Sequence, residues 1–123
     1  MEYKNVIFNY LSQFCLVSRG KPLTTPEVPY IELDITEDGF ASQFIQSFNI
    51  YHYGTGVGYG SIDTIKQNIE NDIGENGKLI NNEDINIKIY KGSPFYQDRQ
   101  MDEENVKAGY INLLITILKK GDK

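Results

Sequence analysis

The sequence predicts one α+β domain whose elements follow in the order helix, strand, strand, helix, strand, strand. Two observations predict it: apolar residues recur at the three-and-four spacing of a helix face in two segments, and alternate with polar residues in others. The length of 123 residues suits one domain, because globular domains most often have about 100–150 residues. We expect this domain to span residues 1–123, with a frayed lysine-rich tail over 119–123.

Two segments carry the helical spacing. In the first, near residues 3–16, apolar side chains from Tyr3 to Phe14 share one face, and three prolines follow before residue 30. In the second, about residues 62–73, four isoleucines recur at helical spacing and Gly74 follows. We therefore expect two amphipathic helices that each bury one face.

The remaining patterns predict four strands. Apolar and polar residues alternate in the first and third, and aromatic and β-branched residues are frequent in the second. Their expected ranges are 30–36, 42–53, 85–90 and 106–118. The first two should pair as a hairpin, because turn-forming residues separate them. A long polar loop from Lys91 to about Asn105 is expected between the last two.

The second and fourth strands are long for so small a domain. Twelve or thirteen residues at about 3.3 Å each extend to about 40 Å, whereas a globule of this size is only about 35 Å across. Two explanations stay open. Bulges bend the strands, with Gly109 as a candidate position, or one end of a long hairpin projects as an arm towards a neighbouring subunit.

Charge and composition disfavour several function classes. With 17 acidic and 12 basic residues and a net charge of -5, a phosphate-binding groove has little electrostatic support, so no sequence-specific nucleic-acid binding is expected. The single cysteine and the absence of a secretory signal predict synthesis in a reducing cytoplasm. The most apolar stretch, 110–118, is too short to cross a bilayer, so no membrane partner is expected.

The inventory of reactive side chains also disfavours an enzyme. His52 is the only histidine, which excludes a two-histidine metal site within one subunit. Cys15 lies next to an apolar helix face, where a cysteine is more often a core residue than a nucleophile. The glycine-rich run 54–60 lacks the spacing of a dinucleotide-binding loop. We expect no catalytic residue, cofactor or metal; the alternative is a small enzyme or ligand-binding domain around Tyr51, His52 and the glycine loop.

The expected loop between the last two strands combines aromatic side chains with charges. Such a combination on a long loop is typical of a binding surface. The alternative is that Phe95 and Tyr96 fold back onto their own core. The candidate partner-binding residues are Phe95, Tyr96, Asp98, Arg99, Asp102 and Glu103.

Three stretches carry a resemblance to a known family. IYKGSPFYQD at 89–98, DEENVKAGYINL at 102–113, and the N-terminal helix leading to VPYI at 28–31 resemble the small minor capsid or tail terminator proteins of long-tailed, siphovirus-type bacteriophages. The resemblance covers nearly the whole chain in outline. It implies an α+β domain in which two amphipathic helices pack on one side of an antiparallel sheet of about four strands.

The same resemblance implies a structural role in the virion. The chain would form a homo-oligomeric ring of six subunits at the head-proximal end of the tail. That ring would bind the tail tube protein, stop tube polymerisation and present its other face to a head-completion or connector protein. DNA would pass through its pore. A neck or head-completion subunit is the alternative within virion assembly.

This implied role assigns two further groups of candidate residues. Subunit contacts should come from the long strands, and the glycine loop should face an axial partner. The candidate subunit-interface residues are Phe48, Ile50, Tyr51, Tyr53, Tyr110 and Ile111. The candidate axial residues are Gly56, Val57, Gly58 and Tyr59.

Overall fold

A curled sheet of six strands dominates the computed structural model, which describes residues 2–19, 29–33, 43–54, 58–81, 85–101 and 105–119. The sheet forms a half-barrel and is accompanied by two helices. The elements are α1 (Glu2–Leu11), β1 (Leu16–Arg19), β2 (Tyr30–Leu33), β3 (Gln43–Tyr53), α2 (Gly60–Ile73), β4 (Lys78–Asn81), β5 (Ile85–Arg99) and β6 (Val106–Lys119).

The expected four-stranded antiparallel sheet is wrong. The described strands lie in the order β1-β2-β3-β6-β5-β4, and the sheet is mixed because β1 runs parallel to β2. All other neighbours are antiparallel, including β2 and β3, which were expected to pair. The two strands missing from the prediction, β1 and β4, have four residues each, too few to display a period of two. The expected turn at 36–39 lies outside the described residues. Of the tail expected at 119–123, Lys119 ends β6, and the rest also lies outside them.

The first helix is shorter than its apolar spacing predicts. It ends at Leu11. A tighter turn follows, in which the Phe14 N–H donates to the Leu11 carbonyl, three residues earlier, at 3.0 Å. The Phe8 carbonyl accepts both the Ser12 hydroxyl, at 2.7 Å, and the Ser12 N–H, at 3.0 Å, at the end of the helix. Leu16 then begins β1 in place of the last helical residues.

The second helix follows the prediction closely. Its four isoleucines at 62, 65, 69 and 73 are all buried. Gly74 ends the helix with a φ of 68°, a backbone conformation that favours glycine, and its N–H donates to the Glu70 carbonyl at 3.0 Å. Helix α2 thus contributes one continuous apolar stripe to the core.

The hydrophobic core lies between the helices and one face of the sheet, called here the inner face. The Tyr3 ring of α1 packs edge-to-face on Phe44 of β3, with ring centroids 5.7 Å apart. The strand residues that point inwards and are fully buried with the helices are Ile31, Leu33, Phe48, Ile50, Ile87, Ile89, Ile111, Leu113 and Ile115. The opposite face of the sheet is called the outer face, and it carries the alternate residues of each strand.

Most of the expected polar loop after Lys91 is strand, because β5 continues to Arg99. Its pairing with β6 is interrupted by a bulge, in which residues 92–95 of β5 lie opposite Asn112 alone. The Asn112 side chain fixes this bulge, because its amide donates to the Pro94 carbonyl at 3.0 Å. Its Oδ1 accepts the Ser47 hydroxyl of β3 at 2.6 Å, so one side chain joins three strands.

Gly109 does not form the expected bulge. It pairs in register with Ile50 of β3 and with Asp98 of β5. A Cβ at this position would lie 2.5 Å from the Tyr96 hydroxyl oxygen and 2.6 Å from Cε1 of that ring. Glycine is therefore required at 109 because the Tyr96 side chain occupies the space above it.

We expect Ile65→Asp to destabilise the fold by about 3–5 kcal/mol, because it places an unpaired carboxylate on the buried stripe of α2. Urea unfolding followed by circular dichroism measures the change in the free energy of unfolding. Asn68→Asp, on the exposed side of the same helix, is the matched control and should remain within about 0.5 kcal/mol of the parent chain. Equal losses in both variants would contradict the assigned stripe.

Candidate functional site

The outer face of the sheet carries large exposed apolar side chains. Leu16, Ile45, Leu79 and Leu118 are 53%, 51%, 49% and 43% exposed. Ile45 lies opposite Leu114, which lies opposite Tyr90, so an apolar row crosses β3, β6 and β5. Leu16 and Leu79 lie on opposite edge strands, so this row, and not a single patch of all four residues, is the apolar surface that suits a partner. The outer face is thus the leading candidate for contact with another molecule.

A cluster of tyrosines occupies the other end of the outer face. The rings of Tyr30 and Tyr51 are 5.6 Å apart between centroids, and those of Tyr30 and Tyr53 are 6.3 Å apart and stacked. Burial raises the pKa of Tyr51, and the Glu32 carboxylate adds to that rise. The Tyr51 phenol therefore remains neutral at physiological pH. Tyr51 and Tyr53, which are partly exposed, provide amphipathic surface of the kind enriched at protein interfaces.

Only half of the predicted subunit-interface residues lie on the outer face. Tyr51, Tyr53 and Tyr110 do, and each is partly exposed. The prediction is wrong for the other three, Phe48, Ile50 and Ile111, which point into the core and are 2%, 0% and 0% exposed. The physical reason is the alternation of side chains along a strand: a run of consecutive residues supplies both faces, and only one of them can meet a neighbour.

The predicted partner-binding loop is also corrected in part. Phe95 and Tyr96 belong to β5 and pack against the hydrophobic core, as in the alternative left open by the sequence. Asp98 and Arg99 are exposed near the end of β5 and line a shallow depression with Gln97 and Tyr110. The Arg99 guanidinium donates to the Asn49 side-chain carbonyl at 2.8 Å. Asp102 and Glu103 lie outside the described residues.

Tyr96 is held between the sheet and α2. The Lys66 ammonium of α2 lies 5.2 Å from the centre of its ring, within the range of a cation–π contact. Burial raises the pKa of Tyr96, and the nearby Asp98 carboxylate raises it further. The side chain is thus a packed part of the fold and not a mobile contact on a loop.

Only two of the four predicted axial residues are among the described residues. Gly56 and Val57 are outside the described residues, and Gly58 is exposed. Tyr59 donates its hydroxyl to the Arg99 carbonyl at 3.2 Å, while the Lys107 ammonium lies 5.7 Å from its ring centre. Tyr59 therefore joins the start of α2 to the ends of β5 and β6, and the axial role of this group stays a prediction.

Tyr51 and His52, two residues of the alternative site, do not face the same side of the sheet, while residues 55–57 of its glycine loop lie outside the described residues. Consecutive strand residues point to opposite faces, so Tyr51 lies on the outer face and His52 on the inner face. The Nδ1 atom of His52 is 2.5 Å from the Ser61 hydroxyl oxygen, which ties β3 to the first turn of α2. Among the residues described, no group of three or more His, Cys, Asp or Glu side chains could hold a metal ion.

Sequence reasoning missed the exposed leucines of the outer face. Leu16 and Leu79 lie in four-residue strands that no sequence pattern marks. The signal at Ile45 and Leu118 was present, because both long strands carry apolar residues at consecutive positions. Such a run indicates that both faces of a strand are apolar, which is expected where a second molecule covers the outer one.

Comparisons with known proteins supply no assignment of function. The chain matches no protein-family model, and no curated protein matches its sequence. Within the described ranges, no helix is both long enough and apolar enough to span a membrane. A functional assignment therefore depends on the family resemblance of the sequence and on the surfaces of the fold.

We expect Gly109→Ala to destabilise the protein by about 1–3 kcal/mol, because the added methyl group meets the Tyr96 ring. Gly58→Ala is the matched control, since open space surrounds that position. The loss should shrink when Gly109→Ala is combined with Tyr96→Ala, which removes the clash. Additive losses in urea unfolding would show that the two residues do not share this space.

We expect Cys15 to react slowly with Ellman's reagent at pH 8 in the folded protein. Burial raises the pKa of its thiol to about 12, so the reactive thiolate is scarce. In guanidinium chloride the same thiol should react at the rate of an unfolded cysteine. Equal rates in both states would contradict the burial and would revive a nucleophilic role.

Proposed function

We propose that the chain is a structural protein of virion assembly of the tail-terminator type. Identical subunits form a ring that caps the tail tube, stops its polymerisation and provides a surface for joining the head. Support comes from the resemblance of residues 89–98 and 102–113 to that family, together with the exposed apolar side chains of the outer face. The exposed apolar side chains carry the proposal, because an apolar surface is stabilised when a partner covers it.

The shape of the sheet supports repeated contact between copies. The helices cover one face of the half-barrel, and the outer face exposes Leu16, Ile45, Leu79 and Leu118. A ring covers the exposed surface of every subunit, because each copy places one of its surfaces on a different surface of the next copy. Heterologous contacts of this kind close into rings when the rotation between neighbours divides the circle.

The charge of the chain suits a pore through which DNA passes. A net charge of -5 gives the ring no general attraction for phosphates, and acidic walls repel a moving polyanion. The partners are then proteins: other copies of the chain, the tail tube protein on one side and a head-completion or connector protein on the other. The subunits are made in the cytoplasm of the bacterial host and end in the virion. The number of subunits, six, follows from the family resemblance alone.

Size-exclusion chromatography with light scattering, over a wide range of protein concentration, tests the ring directly. We expect a closed particle of about six subunits of 14.1 kDa, visible as rings by negative-stain microscopy. The same measurement after incubation with tail tubes from the encoding phage or prophage covers a ring that forms only on its template. A 14.1 kDa monomer under both conditions would contradict the proposal.

A further inference from the structure

We draw no further inference here: the strongest candidate, the apolar row of Ile45, Leu114 and Tyr90 that crosses β3, β6 and β5 on the outer face, belongs to the surface already described, and nothing in the structure shows what covers it.

Discussion

The half-barrel has one face covered by helices, and this constraint governs the rest of the structure. The isoleucine stripe of α2 and the aromatic face of α1 bury the inner side chains of all three long strands. Alternate residues point to the outer face, where Tyr30, Val106 and Ala108 are also buried, at the end of the sheet that carries Tyr51 and Tyr53. Leucine and isoleucine side chains elsewhere on the outer face are exposed in the single chain, and we propose that a neighbouring molecule covers them.

Two local side-chain arrangements allow β5 and β6 to pair over their full length. Asn112 bonds to Pro94 and Ser47, which lets β5 continue past a bulge of four residues. Gly109 leaves space for the Tyr96 ring beneath α2. Together they keep β5 and β6 paired up to Arg99 and Ala108, so Gln97 and Arg99, which were expected on a loop, belong to a paired strand and lie on its outer face. A stiff surface loses little conformational entropy when a partner binds.

Parts of this structure could be predicted from the sequence, because their signals are local and periodic. The isoleucines of α2 define its buried stripe, and the period-two pattern indicates β2 and the start of β5. The continuation of β5 could not be predicted, since Gly92 and Pro94 are typical of a loop and only Asn112, distant in sequence, accommodates them. The exposed leucines of β1 and β4 could not be predicted because four residues are too few to display a period of two.

The most direct test of the account is the length of tail tubes. The proposal implies that a tail tube protein is encoded in the same genome as the chain; that protein is polymerised with and without the chain, and tube lengths are measured by negative-stain microscopy. The account predicts shorter tubes of narrow length distribution, each with added ring density at one end, at ratios far below one chain per tube subunit. Unchanged lengths and bare tube ends would contradict it.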